Sequence, residues 1–147
     1  MKLSIHKTVT VITPTIGKSH LKDCMKSVAT QTVKCKHLIV VDGPQYSDNV
    51  ADTEAFSDID RDRYEICILP DNTGANGFNG QRIYAAFPHL VNTDYVAFLD
   101  EDNWFKEDHI ESLMEVIEKK ELDFAFSLRG VYSPNGQYEC NDDCESL

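Results

Sequence analysis

The chain has 147 residues, 41% hydrophobic and 27% charged, the balance of an ordinary globular protein with a packed core. Its 14 basic against 25 acidic residues leave a net charge of −11, which argues against a broad nucleic-acid-binding face. No apolar run approaches the roughly 18 residues of a membrane span and no signal-peptide pattern opens the chain, so one domain (1–147) in the cytoplasm is the default expectation.

In chain order, Thr8 to Thr13 is a β-branched run that predicts a first strand. Leu21, Cys24, Met25 and Val28 recur at i, i+3, i+4, i+7, the stripe of an amphipathic helix. His37 to Asp42 predicts a second strand, closed by Gly43-Pro44, and Tyr64 to Leu69 a third, stopped by Pro70. Between them, Gln45 to Arg63 is polar and permits a weak helix. Asp71 to Gly80 carries three glycines and three asparagines, a loop with several candidate φ > 0 positions.

Ile83, Ala86, Phe87 and Leu90 repeat the helical stripe. Tyr95 to Leu99 suits a buried fourth strand, and Ile110, Leu113, Met114 and Ile117 give a third helix. Leu122 to Ser133 reads as another strand, turned by Pro134-Asn135-Gly136 into Gln137 to Cys140. Strands alternating with helices imply an α/β fold with a mostly parallel sheet covered on both faces. The five cysteines, Cys24, Cys35, Cys67, Cys140 and Cys144, are odd in number and read as reduced thiols. Cys140 and Cys144 lack the further pair that would complete a zinc site.

The most informative stretch is Asp100-Glu101-Asp102, three carboxylates directly after the fourth strand. In open α/β sheets, ligands bind at that end of the strands. Two like charges about 4 Å apart repel by roughly 4 kcal/mol at an effective dielectric near 20, so such a cluster favours water or a cation. An oxygen-seeking divalent ion that also holds phosphates, Mg²⁺ or Mn²⁺, suits it, whereas a solvated acidic turn is the plainer alternative.

Two nucleotide motifs compete. Gly17-Lys18-Ser19 stands between the first strand and its helix, where a phosphate-cradling loop would be. The full signature needs a glycine where Ile12 stands, and Pro14 removes one backbone N–H from that loop. The dinucleotide fingerprint is absent after the first strand, since the glycine-rich segment Gly74 to Gly80 follows the third.

Five stretches taken together resemble the family 2 glycosyltransferases of the GT-A fold. They are Val9 to Thr15, Ser27 to Thr32, His37 to Asp42, Asp71 to Gly74 with Arg82, and Ala97 to Asn103. They run in family order and extend to about Leu128. The resemblance implies a Rossmann-like three-layer α/β/α sandwich. It also implies transfer of a sugar, with inversion, from a nucleotide-diphosphate donor to a hydroxyl on a glycan, lipid or protein-linked sugar.

By the resemblance, Thr13, Pro14 and Thr15 grip the nucleoside with Asp42. A carboxylate there can accept the uracil imide N–H, which gives a physical reason for a UDP-sugar. Arg82 helps hold the diphosphate or base, Asp100 and Glu101 belong to the donor site, and Asp102 with Asp100 binds Mn²⁺ or Mg²⁺. The general base is expected beyond Leu147, in an acceptor-binding part this chain lacks. Asp142, Asp143 and Glu145 are the only late carboxylates that follow the hairpin. Two alternatives stay open, a donor-binding module without transfer and a nucleotidase built on Lys18.

Overall fold

The structure, a computed structural model, describes residues 7–51 and 56–142. The chain divides into two compact units, Met1–Ile110 and Glu111–Leu147. The first holds β1 (Val9–Thr15), α1 (Leu21–Ala29), β2 (Cys35–Val41), α2 (Ser47–Val50), β3 (Tyr64–Ile68), α3 (Gln81–Ala86) and β4 (Tyr95–Phe98). The division falls within α4 (His109–Lys120), and the second unit holds β5 (Arg129–Tyr132) and β6 (Tyr138–Asp142).

In the first unit the strands form one sheet in the order β3-β2-β1-β4, with every neighbouring pair parallel. The alternation of β2 explains why helices cover both faces. Ile39 and Val41 pack with Leu21 and Met25 of α1 and with Val50, Phe56 and Ile59, while Val40 packs with Ile12, Ile83 and Phe87 on the other side. A strand buried on both faces must be apolar throughout, as the run Leu38 to Val41 is. Full burial of each large aliphatic side chain contributes about 1.5–3 kcal/mol. The α/β class and the mostly parallel sheet expected from the alternating pattern are what the structure has.

Three expectations need correction. The stripe Ile83, Ala86, Phe87, Leu90 is half right: Ile83 and Phe87 are buried, but Ala86 and Leu90 are exposed. Pro88 has no N–H to continue the helix, so the chain tightens into a 3-10 turn over Phe87–His89. β4 is not a buried strand; it pairs only with β1 among the described strands, and Phe98 is 50% exposed. The long strand expected over Leu122 to Ser133 is confined to Arg129–Tyr132, where β6 supplies an antiparallel ladder. Residues 122–128 have no partner strand among those described, and Phe124 and Phe126 are exposed.

Candidate functional site

Chain topology places the site. The connection from β1 to β2 runs through α1 on one face, and that from β3 to β4 runs through α3 on the other. The strand order therefore reverses between β1 and β4, and a crevice opens beyond their C-terminal ends. Pro14 helps to open it. Even-numbered residues of β1 face β4, as the bond from the Leu99 N–H to the Ile12 carbonyl shows, and pairing stops at Ile12–Phe98. Proline thus stands where its missing N–H breaks no ladder, and β4 is free to diverge.

The cleft has a volume of about 430 Å³ and is lined by Pro14 and Thr15 from β1, Asp42 after β2, Asn72, Gly74 and Asn79 from the loop after β3, and Asp100, Glu101 and Asp102 after β4. Among its described lining residues four are carboxylates, and Lys18 is the one base. An anion entering such a cleft needs a cation to accompany it.

Asp42, buried after β2, accepts three hydrogen bonds: from Thr73 N–H at 2.7 Å, Thr73 Oγ1 at 2.8 Å and Gly74 N–H at 2.7 Å. A carboxylate has about four acceptor positions, so one remains for a ligand. The close approach needs glycine, because a Cβ on Gly74 would lie 2.6 Å from Asp42 Oδ2 and 2.4 Å from the Asn79 carbonyl oxygen. The left-handed residues expected in this loop are Asn76, Gly77 and Asn79.

Glu101, only 7% exposed, turns toward the β1–α1 loop rather than into solvent. It accepts Thr15 Oγ1 at 2.5 Å and the Lys18 N–H at 3.1 Å through Oε2, and the Ile16 N–H at 3.5 Å through Oε1. The Gly17 N–H goes to Thr15 Oγ1 at 2.8 Å. These are the N–H groups a phosphate-cradling loop would aim at its ligand, and here Thr15 and Glu101 take them. Gly17 itself is fixed by a left-handed φ of 76° and by Asn49, whose Cβ would be 2.3 Å from an added Cβ. The Gly-Lys-Ser alternative has no phosphate cradle in this fold.

The other two acids have different partners. Tyr84 donates its hydroxyl to Asp100 Oδ1 at 2.7 Å. Burial, and then the bond to Asp100, push the Tyr84 phenol well above its ordinary value, so it stays a donor. Asp102 Oδ2 lies 3.8 Å from Lys18 Nζ, which is also 3.9 Å from Glu101 Oε1. No ready-made cage of three metal-ligating side chains exists among the described residues. Asp100 and Asp102 still fit Mg²⁺ or Mn²⁺, which take one or two carboxylates and complete their shell with phosphate oxygens and water.

Two sequence candidates stand apart from the cleft lining. Thr13 is fully buried and bonds inward, to His37 Nε2 at 2.8 Å and Cys24 Sγ at 3.7 Å. Burial lowers His37 to about 3 and raises the Cys24 thiol to about 12, leaving both neutral. Arg82 lies 3.8 Å over the Phe78 ring and donates to the Thr73 carbonyl at 3.3 Å, next to the loop that Asp42 holds. In the second unit Asp142 pairs with Arg129 across the β5–β6 ladder. Asp143 and Glu145 lie outside the described residues.

Sequence reading missed Lys18 and Tyr84 as partners of the acidic triplet, and the function of Ser27 and Gln31. The Phe105 N–H donates to Ser27 Oγ at 3.1 Å. Gln31 Nε2 donates to the Lys106 carbonyl at 2.7 Å, while its Oε1 accepts the Ile110 N–H at 3.0 Å. The C-terminal end of α1 thereby fastens the segment that follows the triplet.

Comparison with known proteins supplies the family. The model of glycosyl transferase family 2 matches residues 10–139. The chain is 27% identical over 118 residues to glycosyltransferase GlyA of Streptococcus pneumoniae, covering 80% of this chain and 16% of that protein. It is 26% identical over 129 residues to TuaG of Bacillus subtilis, named as a glycosyltransferase of teichuronic acid biosynthesis, covering 87% of this chain and 49% of TuaG. The crystal structure of S. aureus TarS 1-349 superposes with a TM-score of 0.59 at 16% identity, over 78% of this chain and 33% of that one. The chain therefore spans about half or less of the length of these relatives.

Proposed function

The chain belongs to glycosyl transferase family 2 and has the GT-A fold, and from that premise we propose that its cleft binds a nucleotide-diphosphate sugar, UDP-linked, together with Mg²⁺ or Mn²⁺, for inverting transfer to a hydroxyl acceptor. The observation that carries the reading is the charge of the cleft. Four carboxylates and one lysine at the strand-order reversal accept a diphosphate only with a divalent cation between them.

Asp102 and Asp100 would hold that ion, whose chemistry is to stabilise the negative charge that develops on the departing diphosphate. The chain's own residues do the positioning. Asp42 has one acceptor position for the uracil imide, and the loop it holds, Thr73 to Gly80, shapes that side of the cleft. Thr15 and Glu101 fix the β1 turn against the triplet.

A second reading, donor binding without transfer, is favoured by one specific observation. Each carboxylate of the cleft already has a partner: Asp42 with Thr73 and Gly74, Asp100 with Tyr84, Glu101 with Thr15, Asp102 with Lys18. With Asp100 and Asp102 given to the ion and the last acceptor position of Asp42 given to the base, no cleft carboxylate is spare to take the acceptor proton.

Titrating UDP calorimetrically with and without Mn²⁺ tests the donor site. Mn²⁺-dependent heat that disappears in Asp102→Asn supports it, and absence of UDP binding in both conditions ends it. Sugar transfer to simple acceptors separates the first reading from the second.

A further inference from the structure

Lys18 is the one cation among the described residues lining a strongly acidic cleft. Its backbone is fixed, because its N–H donates to Glu101 Oε2 at 3.1 Å. Its side chain is about half exposed (52%), and the ammonium sits 3.9 Å from Glu101 and 3.8 Å from Asp102, at the long end of ion-pair contact. Pairs of that length and exposure are weak and easily exchanged. A flexible four-carbon stem on an anchored backbone can move its charge without moving the loop.

A divalent ion on Asp102 repels the ammonium 3.8 Å from the same carboxylate, which weakens a pair already at the long end of contact. Once displaced from Asp102, the ammonium keeps Glu101 on one side, and a diphosphate held by the ion beside Asp102 would come within reach of its flexible stem. We infer that Lys18 is the exchangeable counter-ion of this cleft: it pairs with Asp102 and Glu101 in the cation-free state, yields Asp102 to the arriving Mg²⁺ or Mn²⁺, and then pairs with the diphosphate of the donor. The inference rests on the donor-site reading above, and its two halves predict effects of opposite sign.

Lys18→Met removes the charge and keeps an apolar stem. The full chain is melted with and without Mn²⁺, and UDP and uridine are titrated at saturating Mn²⁺. The Mn²⁺-induced rise in melting temperature should be larger in Lys18→Met than in the parent, because nothing competes for Asp102. UDP affinity should fall about tenfold, the loss of one charge-assisted contact, with uridine affinity unchanged. Lys18→Arg should restore parental behaviour in both measurements.

An equal or smaller Mn²⁺ effect in Lys18→Met overturns the counter-ion role, and equal weakening of UDP and uridine overturns the diphosphate contact. A purely structural lysine would move every reading in one direction. Absence of UDP binding to the parent would remove the donor-site reading and the diphosphate contact with it, while the Mn²⁺ melting comparison still decides the exchange at Asp102.

Discussion

The hydroxyl of Thr15 donates to Glu101 Oε2 at 2.5 Å, joining the ends of β1 and β4 by side chains beyond the last backbone pair of those strands, Ile12–Phe98. The middle residue of the acidic triplet is therefore a brace. It sets the β1–α1 loop and leaves the flanking acids, Asp100 and Asp102, on the open side of the cleft with separate partners.

Glu101→Gln should lower stability by about 1–3 kcal/mol, because the amide keeps one acceptor and places its N–H₂ against other donors, the Lys18 ammonium or the loop N–H groups. Urea denaturation at constant m value reads the loss. A midpoint equal to the parent's would mean that the buried brace contributes nothing.

Asp42→Ala should weaken UDP binding and also loosen the loop that follows β3, since three donors lose their acceptor at once. Amide hydrogen exchange over 71–80 is the readout, with faster exchange at Thr73 and Gly74 expected. Exchange unchanged there, with UDP binding lost, would make Asp42 a ligand contact alone.

Much of this arrangement was legible in the chain because hydrophobic period and β-branched runs report burial directly. Ile39, Val40 and Val41 announce a strand covered on both faces, and Leu21, Cys24, Met25 and Val28 announce the helix above one of them; all are buried. What the pattern could not report was pairing. Phe124 and Phe126 alternate as strand residues do, yet no described strand lies beside them, and alternation without a ladder is not a strand. Partner choice was equally hidden. Nothing in Asp-Glu-Asp says that the central acid turns to Thr15 while Tyr84, sixteen residues earlier, reaches Asp100. Thr13 shows the converse: it shares a strand face with Thr15 but lies one pleat deeper, so its side chain stays in the core against His37, while Pro14 and Thr15 at the strand end line the cleft.

His37 gives the protein a pH dependence of definite sign. Burial holds its folded-state value at about 3 against an ordinary 6.5, and Nδ1 has no hydrogen-bond partner among the described residues. Between those values only the unfolded chain binds the proton. Stability is thus fully present above about pH 6.5 and falls as pH drops toward 3, by up to about 1.4 kcal/mol per pH unit. His37→Gln, which can still bond to Thr13, should reduce the difference in stability between pH 7 and pH 5 by about 2 kcal/mol relative to the parent. Identical pH slopes in the two proteins would contradict a buried neutral imidazole.

Tyr84→Phe tests how far the cation site depends on a residue outside the triplet. The phenol holds Asp100 Oδ1 at 2.7 Å, and its ring meets Phe98 edge-on at 5.0 Å, so phenylalanine removes the hydroxyl and keeps the packing. The stability change should be small, about 1 kcal/mol, since one hydrogen bond at the rim of the cleft is lost. UDP affinity in the presence of Mn²⁺ should fall severalfold, because Asp100 must then be ordered at the moment of binding instead of beforehand. Uridine measured without metal should bind as it does to the parent. Tyr84→Ala should add a packing loss of several kcal/mol, about 3–5 for a large aromatic, and so separates the ring from the hydroxyl. If Mn²⁺–UDP binds Tyr84→Phe as tightly as the parent, the hydroxyl does not orient Asp100 for the ion, and Asp102 carries the cation site without it.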